Sequence, residues 1–306
     1  MNRILISGLV NLETTLLTEG FPVNYCPVRY PFGGVNTAVS GVGFNVASAM
    51  TALGRPVNFL SAIGDDTPGS IARRDLVALG VEDTHVLNLA DATPQSVILY
   101  DSWGRRQVNV DLKDVQEVEY PRERFREAAK DCSMAVLCNI NFSRPLLFEA
   151  RRRGMVVATD VHAISSLEDE YNGDFMASAN ILFMSDELIP CPPEEWIRQV
   201  GERFGNDIIV IGMGEKGSLM YVGKQHRIHH QPAVQTRRVV NTVGAGDALF
   251  SAFIHFYESR GDAFSALKMA SYFASYKVGE KGASSGFLSE SQLLGLIRDS
   301  ESHPRP

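Results

Sequence analysis

Short apolar runs rich in β-branched residues alternate with amphipathic stretches along most of the chain. Two amphipathic stretches, residues 44–54 and 69–80, are typical of helices and close with Gly54 and Gly80. The runs that predict buried strands are ILISGLV (4–10), VNFLSAIG (57–64), MAVLCNI (134–140), GMVVATD (154–160), ANILFMS (179–185) and DIIVIGMG (207–214). This alternation predicts a mostly parallel sheet covered on both faces by helices. Such sheets usually bind ligands outside the carboxyl ends of their strands.

Two regions interrupt the alternation, residues 13–40 and residues 91–112. The second holds an alternating strand, a polar turn from Asp101 to Gly104 and a returning strand, which together predict a β-hairpin. We expect the two regions to form a small β-layer that projects from the main sheet. An edge hairpin without a role in function is the alternative.

Composition narrows the class of protein. The 306 residues suit one large α/β domain with an appendage, with 44% hydrophobic and 21% charged residues. The net charge of −7 argues against binding of nucleic acid or of a membrane surface, although backbone N–H groups can hold phosphate on an acidic protein. The four cysteines include no CxxC pair, which favours reduced thiols in the cytoplasm over disulfides or zinc. No apolar run is long enough to span a membrane, and the tail 298–306 is expected to fray.

The stretch NTVGAGDALF (241–250) carries the strongest chemical signal. Gly244, Ala245 and Gly246 would let the backbone approach a ligand closely where an apolar-faced helix begins. The N–H groups at such a helix start favour negative charge. Asp247 beside them suits phosphoryl transfer, in which a base receives the proton of the attacking hydroxyl. The alternative makes Asp247 a first-turn residue after a glycine-rich turn.

Three further motifs are more ambiguous. SGVGFNVASAMTALG (40–54) fits a loose G-x-G-x-x-A dinucleotide fingerprint but lacks the long preceding strand, and it equally suits contact with a polar substrate. GMGEKGS (212–218) has Lys-Gly-Ser where a P-loop has Gly-Lys-Ser, which argues against a P-loop. Its glycines could still line nucleotide phosphates or form a hairpin turn, and the two roles are compatible. HRIHH (226–230) indicates surface histidines rather than metal ligands.

Taken in order, these segments resemble the ribokinase-like (PfkB) family of sugar and nucleoside kinases over essentially the whole chain. The matching segments are SGLVNLE, SGVGFNVASAMTALG, SAIGDDTPGSIARRDLVALGV, VVATDVH, ILFMSDE, IGMGEKGS and NTVGAGDALFSAF. The last is close to the family signature DTxGAGD. The resemblance implies a doubly wound, mostly parallel α/β fold with a small β-sheet lid. The core would comprise residues 1–12, 41–90 and 113–306, and the lid residues 13–40 and 91–112.

The resemblance also implies roles for individual residues. Asp247 would be the base, and the N–H groups of Gly244, Ala245 and Gly246 the anion hole. The acceptor would contact Asn11, Glu13, Gly41 and Asn45. ATP and its Mg²⁺ would lie along Ser185, Glu187, Gly212, Gly214 and Gly217, with no residue assigned as a direct metal ligand.

The chain departs from the family pattern at several of these positions. Glu13 stands where the family has Asp, which reshapes the acceptor pocket, and Ser185 replaces the usual Asn. Asn241 replaces the first Asp of the signature, which removes a charge near the monovalent-cation site and places activation by K⁺ in doubt.

The function expected is ATP-dependent phosphorylation of a hydroxyl of a small sugar or polyol. A nucleoside kinase of the adenosine, inosine or cytidine type is the nearest alternative, because the aromatic residues of the lid could stack on a base. These are Phe21, Tyr25, Tyr30, Phe32 and Trp103. A non-catalytic sensor on the same fold and a nicotinamide dehydrogenase built on Gly41 and Gly43 are more distant alternatives. An exposed lid edge would allow homodimerisation through the lid.

Overall fold

The computed structural model describes residues 2–280 and 282–302, in which strands and helices alternate as the sequence predicts. The strands are β1 (Arg3–Ser7), β2 (Asn11–Leu17), β3 (Val35–Ser40), β4 (Val57–Ile63), β5 (Val86–Asn88), β6 (Gln95–Tyr100), β7 (Arg106–Asp111), β8 (Cys132–Leu137), β9 (Val156–Ala163), β10 (Ile181–Ser185), β11 (Ile208–Gly212), β12 (Ser218–Val222) and β13 (Arg227–Gln231). The helices are α1 (Val42–Ala52), α2 (Thr67–Ala78), α3 (Arg122–Ala128), α4 (Arg144–Arg152), α5 (Gly173–Ser178), α6 (Pro193–Phe204), α7 (Ala245–Arg260), α8 (Ala263–Lys277) and α9 (Glu290–Ser302).

The main sheet has nine strands in the order β13-β12-β11-β10-β9-β8-β1-β4-β5. The seven strands from β11 to β5 in this order are parallel, and β12 and β13 extend the edge in antiparallel fashion. The parallel strands therefore end at one edge of the sheet. The sequence prediction of a mostly parallel α/β sheet is confirmed.

Two apolar cores lie on opposite faces of this sheet. Ile4 and Ile6 of β1 belong to the core shared with α1, α7 and α8, whereas Leu5 belongs to the core shared with α3, α4 and α6. Successive side chains of a strand point to opposite faces, so a continuous apolar run serves both cores. The fold is doubly wound.

Residues 11–17, 35–40, 95–100 and 106–111 form a separate four-stranded sheet in the order β3-β2-β6-β7. The predicted hairpin is confirmed, because β6 pairs antiparallel with β7. The Asp101 Oδ1 atom closes its turn by accepting the N–H groups of Trp103 and Arg105, both at 3.0 Å. The hairpin is joined to the other interrupting region through the parallel pairing of β6 with β2. We call this second sheet the lid.

The C-terminal tail differs from its prediction. Helix α9 continues to Ser302 and buries Leu293 and Ile297, so the prediction of fraying is wrong for residues 298–302. Residues 303–306 lie outside the described part of the chain. No helix in residues 2–280 and 282–302 combines the length and apolar character that crossing a membrane requires.

Candidate active site

The start of α7 lies beside the edge where the parallel strands end. Phe250 and Phe253 of α7 are fully buried, and their rings lie 5.0 and 5.2 Å from the ring of Phe183 in β10. Gly244 caps the helix in the left-handed conformation with φ 74°, and a Cβ atom there would lie 2.8 Å from the Ala283 carbonyl oxygen. Glycine is therefore required at this position on both conformational and steric grounds.

The loop before α7 presents N–H groups at the helix start. The N–H groups of Gly244 and Gly246 donate to no acceptor within the described residues. The N–H of Ala245 donates to the Thr242 carbonyl at 3.1 Å, and the N–H of Val243 donates to the Asn241 side chain at 3.0 Å. Two of the three predicted anion-hole donors are thus available in this structure, and the third closes the turn. Their location at a helix N-terminus suits an anion.

Asp247 lies in the first turn of α7 with 8% of its surface exposed. Its Oδ2 atom accepts a 2.7 Å hydrogen bond from Nδ2 of Asn45, a residue 202 positions earlier in α1. Asn45 is itself buried, and Ser40 Oγ donates to its Oδ1 at 3.5 Å. The contact fixes the Asp247 carboxylate through one oxygen and leaves Oδ1 for another partner.

The environment of Asp247 favours its protonated form more than water does. Burial is the largest cause and raises its pKa, and the carboxylate of Asp160 raises it further. His162, the Asn45 hydrogen bond and Lys277 act in the opposite direction. A carboxylate with a raised pKa is a stronger proton acceptor than an ordinary aspartate.

The four residues predicted to hold the acceptor lie around the junction of the lid and the core. Glu13 in β2 is 9% exposed, and burial raises its pKa against an opposing hydrogen bond from Ser40. Asn11, at the start of β2, donates to Ser96 Oγ at 3.0 Å. Gly41 caps α1 with φ 101°, and a Cβ atom there would lie 2.6 Å from the Leu9 carbonyl oxygen. Because Asn45 bonds to Asp247, the structure brings this group to the start of α7.

The residues predicted to hold the nucleotide lie at the ends of β10 and β11. Ser185 pairs with Gly212 in parallel register, and a Cβ atom on Gly212 would lie 4.0 Å from Leu249 of α7. The hairpin alternative for the following glycines is confirmed, because β11 and β12 pair antiparallel through a turn at Gly214. Gly217 has φ 90°, and a Cβ atom there would overlap the Gln231 carbonyl oxygen. Glu187 is exposed, and its N–H donates to Ser185 Oγ at 3.3 Å.

Four charged or titratable residues near the site were not assigned a role from the sequence. Asp160 in β9 lies with its Oδ2 atom 3.9 Å from the Cβ position of Gly246. His162 follows with φ 59°, and Arg106 of the lid donates to Thr242 Oγ1 at 3.1 Å. Lys277, the last residue of α8, is fully buried, and its Nζ donates to the Val243 carbonyl. Of these four, only Asp160 could be linked to a site from the sequence, because it lies at the end of a predicted strand, where such sheets bind ligands.

The described residues include no group of three or more histidine, cysteine, aspartate or glutamate side chains arranged to hold a metal ion. One or two carboxylates with phosphate oxygens and water are the usual ligands of Mg²⁺ in phosphoryl-transfer enzymes. The carboxylate of Asp160 beside Gly246 fits that arrangement.

Comparison with known proteins identifies the family. The family model described as pfkB family carbohydrate kinase matches residues 1–141 and 174–290. The chain belongs to the PfkB family of carbohydrate kinases. It is 27% identical over 292 residues to the ATP-dependent ribose-1-phosphate kinase of Halopiger xanaduensis, covering 93% of this chain and 95% of that protein. It is 26% identical over 265 residues to the deoxyribokinase of Salmonella typhi, covering 83% of this chain and 85% of that protein.

A solved structure supports the fold of this PfkB kinase. A microbiome-derived acarbose kinase superposes with a TM-score of 0.87 at 23% identity, covering 97% of this chain and 99% of that one. The protein is a kinase that phosphorylates a sugar-like substrate, and the family implies ATP as the phosphoryl donor. The predictions of family, fold and enzyme class are confirmed.

Proposed function

We propose that this PfkB kinase transfers the terminal phosphoryl group of ATP to a hydroxyl of a small sugar, with Asp247 as the base. The observation that supports this most strongly is the buried Asp247 carboxylate. It is held by Asn45 and follows Gly244 by three residues and Gly246 by one, the two residues whose N–H groups are available. A base and an anion hole next to each other are the two parts that phosphoryl transfer needs from a protein.

In the proposed reaction, Asp247 Oδ1 accepts the proton of the acceptor hydroxyl as the new O–P bond forms and the bond to ADP breaks. The N–H groups of Gly244 and Gly246 stabilise the negative charge on the phosphoryl oxygens. The small side chain of Ala245 lets the phosphoryl group approach the backbone of the loop. Because the transition state is loose, the proton moves late, and positioning contributes most of the rate.

Asn11, Glu13, Gly41 and Asn45 would orient the acceptor. Carboxylate and amide groups suit the hydroxyls of a sugar, and Gly41 allows close approach to the start of α1. Lid residues on the same sheet face as Glu13 would cover the acceptor and exclude water, which is a competing phosphoryl acceptor. Val110 and Arg106 lie on this face, since register pairs Glu13 with Ser96 and Ser96 with Val110.

Ser185, Glu187, Gly212, Gly214 and Gly217 would line the nucleotide, at the strand ends where α/β sheets bind ligands. Mg²⁺ bound to the phosphates would neutralise their charge, and Asp160 and Glu187 are the carboxylates that would hold it. We propose no requirement for K⁺, because Asn241 lacks the charge of the family's aspartate.

The acceptor we favour is a pentose or a pentose phosphate. The support is the similarity to a ribose-1-phosphate kinase and a deoxyribokinase, together with the cationic lid residue Arg106, which contacts Thr242. Thr242 belongs to the loop before α7, residues 236–244, which we call the signature loop. A nucleoside is the second candidate. Tyr30 and Phe32 stack on each other at 6.1 Å and are 75% and 93% exposed, which leaves aromatic surface for a base.

The outer face of the lid is a candidate interface with a second copy of the chain. Val97 and Val35 lie on the face opposite Glu13 and are 44% and 57% exposed. Apolar surface on an exposed sheet favours pairing. We propose a homodimer through this face.

The test is ADP release with D-ribose, D-ribose 1-phosphate, 2-deoxy-D-ribose and inosine, followed by the variant Asp247→Asn. We expect the variant to lower kcat by roughly 10²- to 10⁴-fold with a modest change in KM, because the hydrogen bond from Asn45 stays possible while the base is lost. Near-full turnover by the variant would remove Asp247 from the mechanism.

A further inference from the structure

A buried ammonium group contacts the loop that forms the proposed anion hole. Lys277 has no exposed surface, and its Nζ donates to the carbonyl oxygen of Val243. Lysine is rarely buried completely, because removing an ammonium group from water is unfavourable unless the site compensates it. The position of this lysine therefore needs a specific explanation.

The contact is the last of a series that joins the signature loop to the end of α8. Thr236 N–H donates to Ser275 Oγ at 2.9 Å, and Arg237 Nε donates to the Tyr276 carbonyl at 2.6 Å. Val240 and Asn241 both donate their N–H groups to the Val278 carbonyl, at 2.8 and 3.0 Å. These contacts hold residues 236–241 without Lys277, so the lysine adds a contact only at the end of the loop nearest to Asp247.

The contact between Lys277 and the Val243 carbonyl also affects the N–H group of Gly244, because the two groups share one peptide bond. The Val243 carbonyl and the Gly244 N–H belong to one planar trans peptide, so they point in opposite directions. A cation on the carbonyl oxygen fixes the plane of that peptide. It also draws electron density toward oxygen, which makes the N–H a stronger donor. The Gly244 N–H is one of the two donors that no described acceptor occupies.

We propose that Lys277 is a positioning residue of phosphoryl transfer: its ammonium group orients and polarises the Val243–Gly244 peptide so that the Gly244 N–H points at the transferring phosphoryl group. This inference rests on the proposed function. The lysine acts through the backbone and does not touch the substrate.

The charged groups around Lys277 give the proposal a pH dependence. Burial lowers its pKa to about 8, although the carboxylates of Asp247 on α7 and Glu13 on β2 favour its charged form. Glu280, just after α8, acts in the same direction as these two carboxylates, and Arg106 of the lid opposes them. As the pH rises through about 8 the ammonium loses its proton, so kcat should fall there and the acceptor KM should change little.

The test compares Lys277→Met, Lys277→Ala and the control Lys268→Met in the ADP-release assay. Lys268 is a half-exposed lysine of the same helix. We expect Lys277→Met to lower kcat about 10- to 100-fold with KM within threefold. The variant leaves the carboxylates of Asp247 and Glu13 without this cation, so its melting temperature should fall and is measured to check that it remains folded at the assay temperature. Lys277→Met should also abolish the decline of kcat above pH 8. Lys268→Met should retain the wild-type kcat.

Chemical rescue distinguishes positioning by charge from a structural effect. Lys277→Ala lacks the propylammonium part of the side chain, so propylammonium chloride should restore kcat at least fivefold while 1-propanol should not. Lys277→Met fills the space and should not respond. The proposal is overturned if Lys277→Met keeps kcat within threefold of wild type, or if propylammonium restores no activity to a folded Lys277→Ala.

Failure of the proposed function would look different. If wild type phosphorylates none of the four acceptors, the proposed acceptor is wrong, but the role of Lys277 can still be measured by binding. The affinity ratio of AMP-PNP to ADP should fall at least tenfold in Lys277→Met, because only AMP-PNP carries the terminal phosphate that Gly244 would bind. An unchanged ratio would refute the role of Lys277 by itself.

Discussion

The hydrogen bond between Asn45 and Asp247 is the contact whose loss tests the site most directly. The variant Asn45→Leu keeps the branched shape of the side chain in α1 but removes the Nδ2 donor that lies 2.7 Å from Asp247 Oδ2. This donor stabilises the ionised carboxylate, so its loss raises the pKa of Asp247, which burial already raises. The proton-accepting form is then present only at higher pH.

The magnitude follows from the energy of such a bond. A hydrogen bond to a charged group contributes about 1.5–3 kcal/mol, and about 1.4 kcal/mol corresponds to one pKa unit. The acid limb of the kcat profile should therefore move up by about one to two pH units. At a fixed pH on that limb, kcat should fall about 10- to 100-fold.

The assay is ADP release at saturating acceptor from pH 5 to 9, with Ser48→Ala as the control. Ser48 is buried one turn further along α1, and its hydroxyl has no partner within the described residues. The control should leave the acid limb where wild type has it. If Asn45→Leu also left the limb unmoved while lowering kcat uniformly, the reasoning that Asn45 tunes the base would be refuted. A change in KM alone would reduce Asn45 to an acceptor contact.

Two further predictions concern stability and assembly. Gly217→Ala should lower the free energy of unfolding by about 1–3 kcal/mol from backbone strain alone. The loss should exceed that of Gly154→Ala, because both glycines have positive φ but only at Gly217 would the Cβ also overlap a carbonyl oxygen. Equal losses of the two variants in urea unfolding would contradict this. Light scattering should give the mass of two chains for wild type and of one for Val97→Lys, because a charge on the outer lid face opposes apolar pairing. A wild-type mass of one chain would exclude the proposed dimer.

The fold was accessible from the sequence because each strand carries a strong local pattern. Ile4, Leu5 and Ile6 are all apolar since β1 contributes to two cores at once, and that continuous run distinguishes a buried parallel strand from an alternating surface strand. The lid hairpin was equally local, because Asp101 closes its own turn. In contrast, the pairing of β6 with β2 joins residues about 80 positions apart and left no local signal.

The candidate site was accessible only in part. Glycines with positive φ, such as Gly244 and Gly41, have a local reason to be glycine, which makes them identifiable from the sequence. Lys277 was missed because a lysine in the last turn of a helix is the ordinary choice next to the helix dipole, and such residues are usually exposed. Its burial arises from the signature loop packing over the end of α8, a long-range contact that no single segment encodes.

The electrostatics of the site suggest how it selects hydroxyl-bearing acceptors. Burial raises the pKa of both Glu13 and Asp247 and lowers that of Lys277, so each of the three groups is less stable charged here than in water. A carboxylate in this position gains most from a ligand that donates hydrogen bonds, since water has been removed as a competitor. An acceptor without a hydroxyl that donates to Glu13 or Asp247 leaves a buried carboxylate unpaired, and such a defect can reduce kcat/KM by roughly 10⁴-fold. Adding or removing one methylene group changes kcat/KM by only roughly 10- to 200-fold. Discrimination in this pocket should therefore depend on the pattern of hydroxyls far more than on the size of the acceptor.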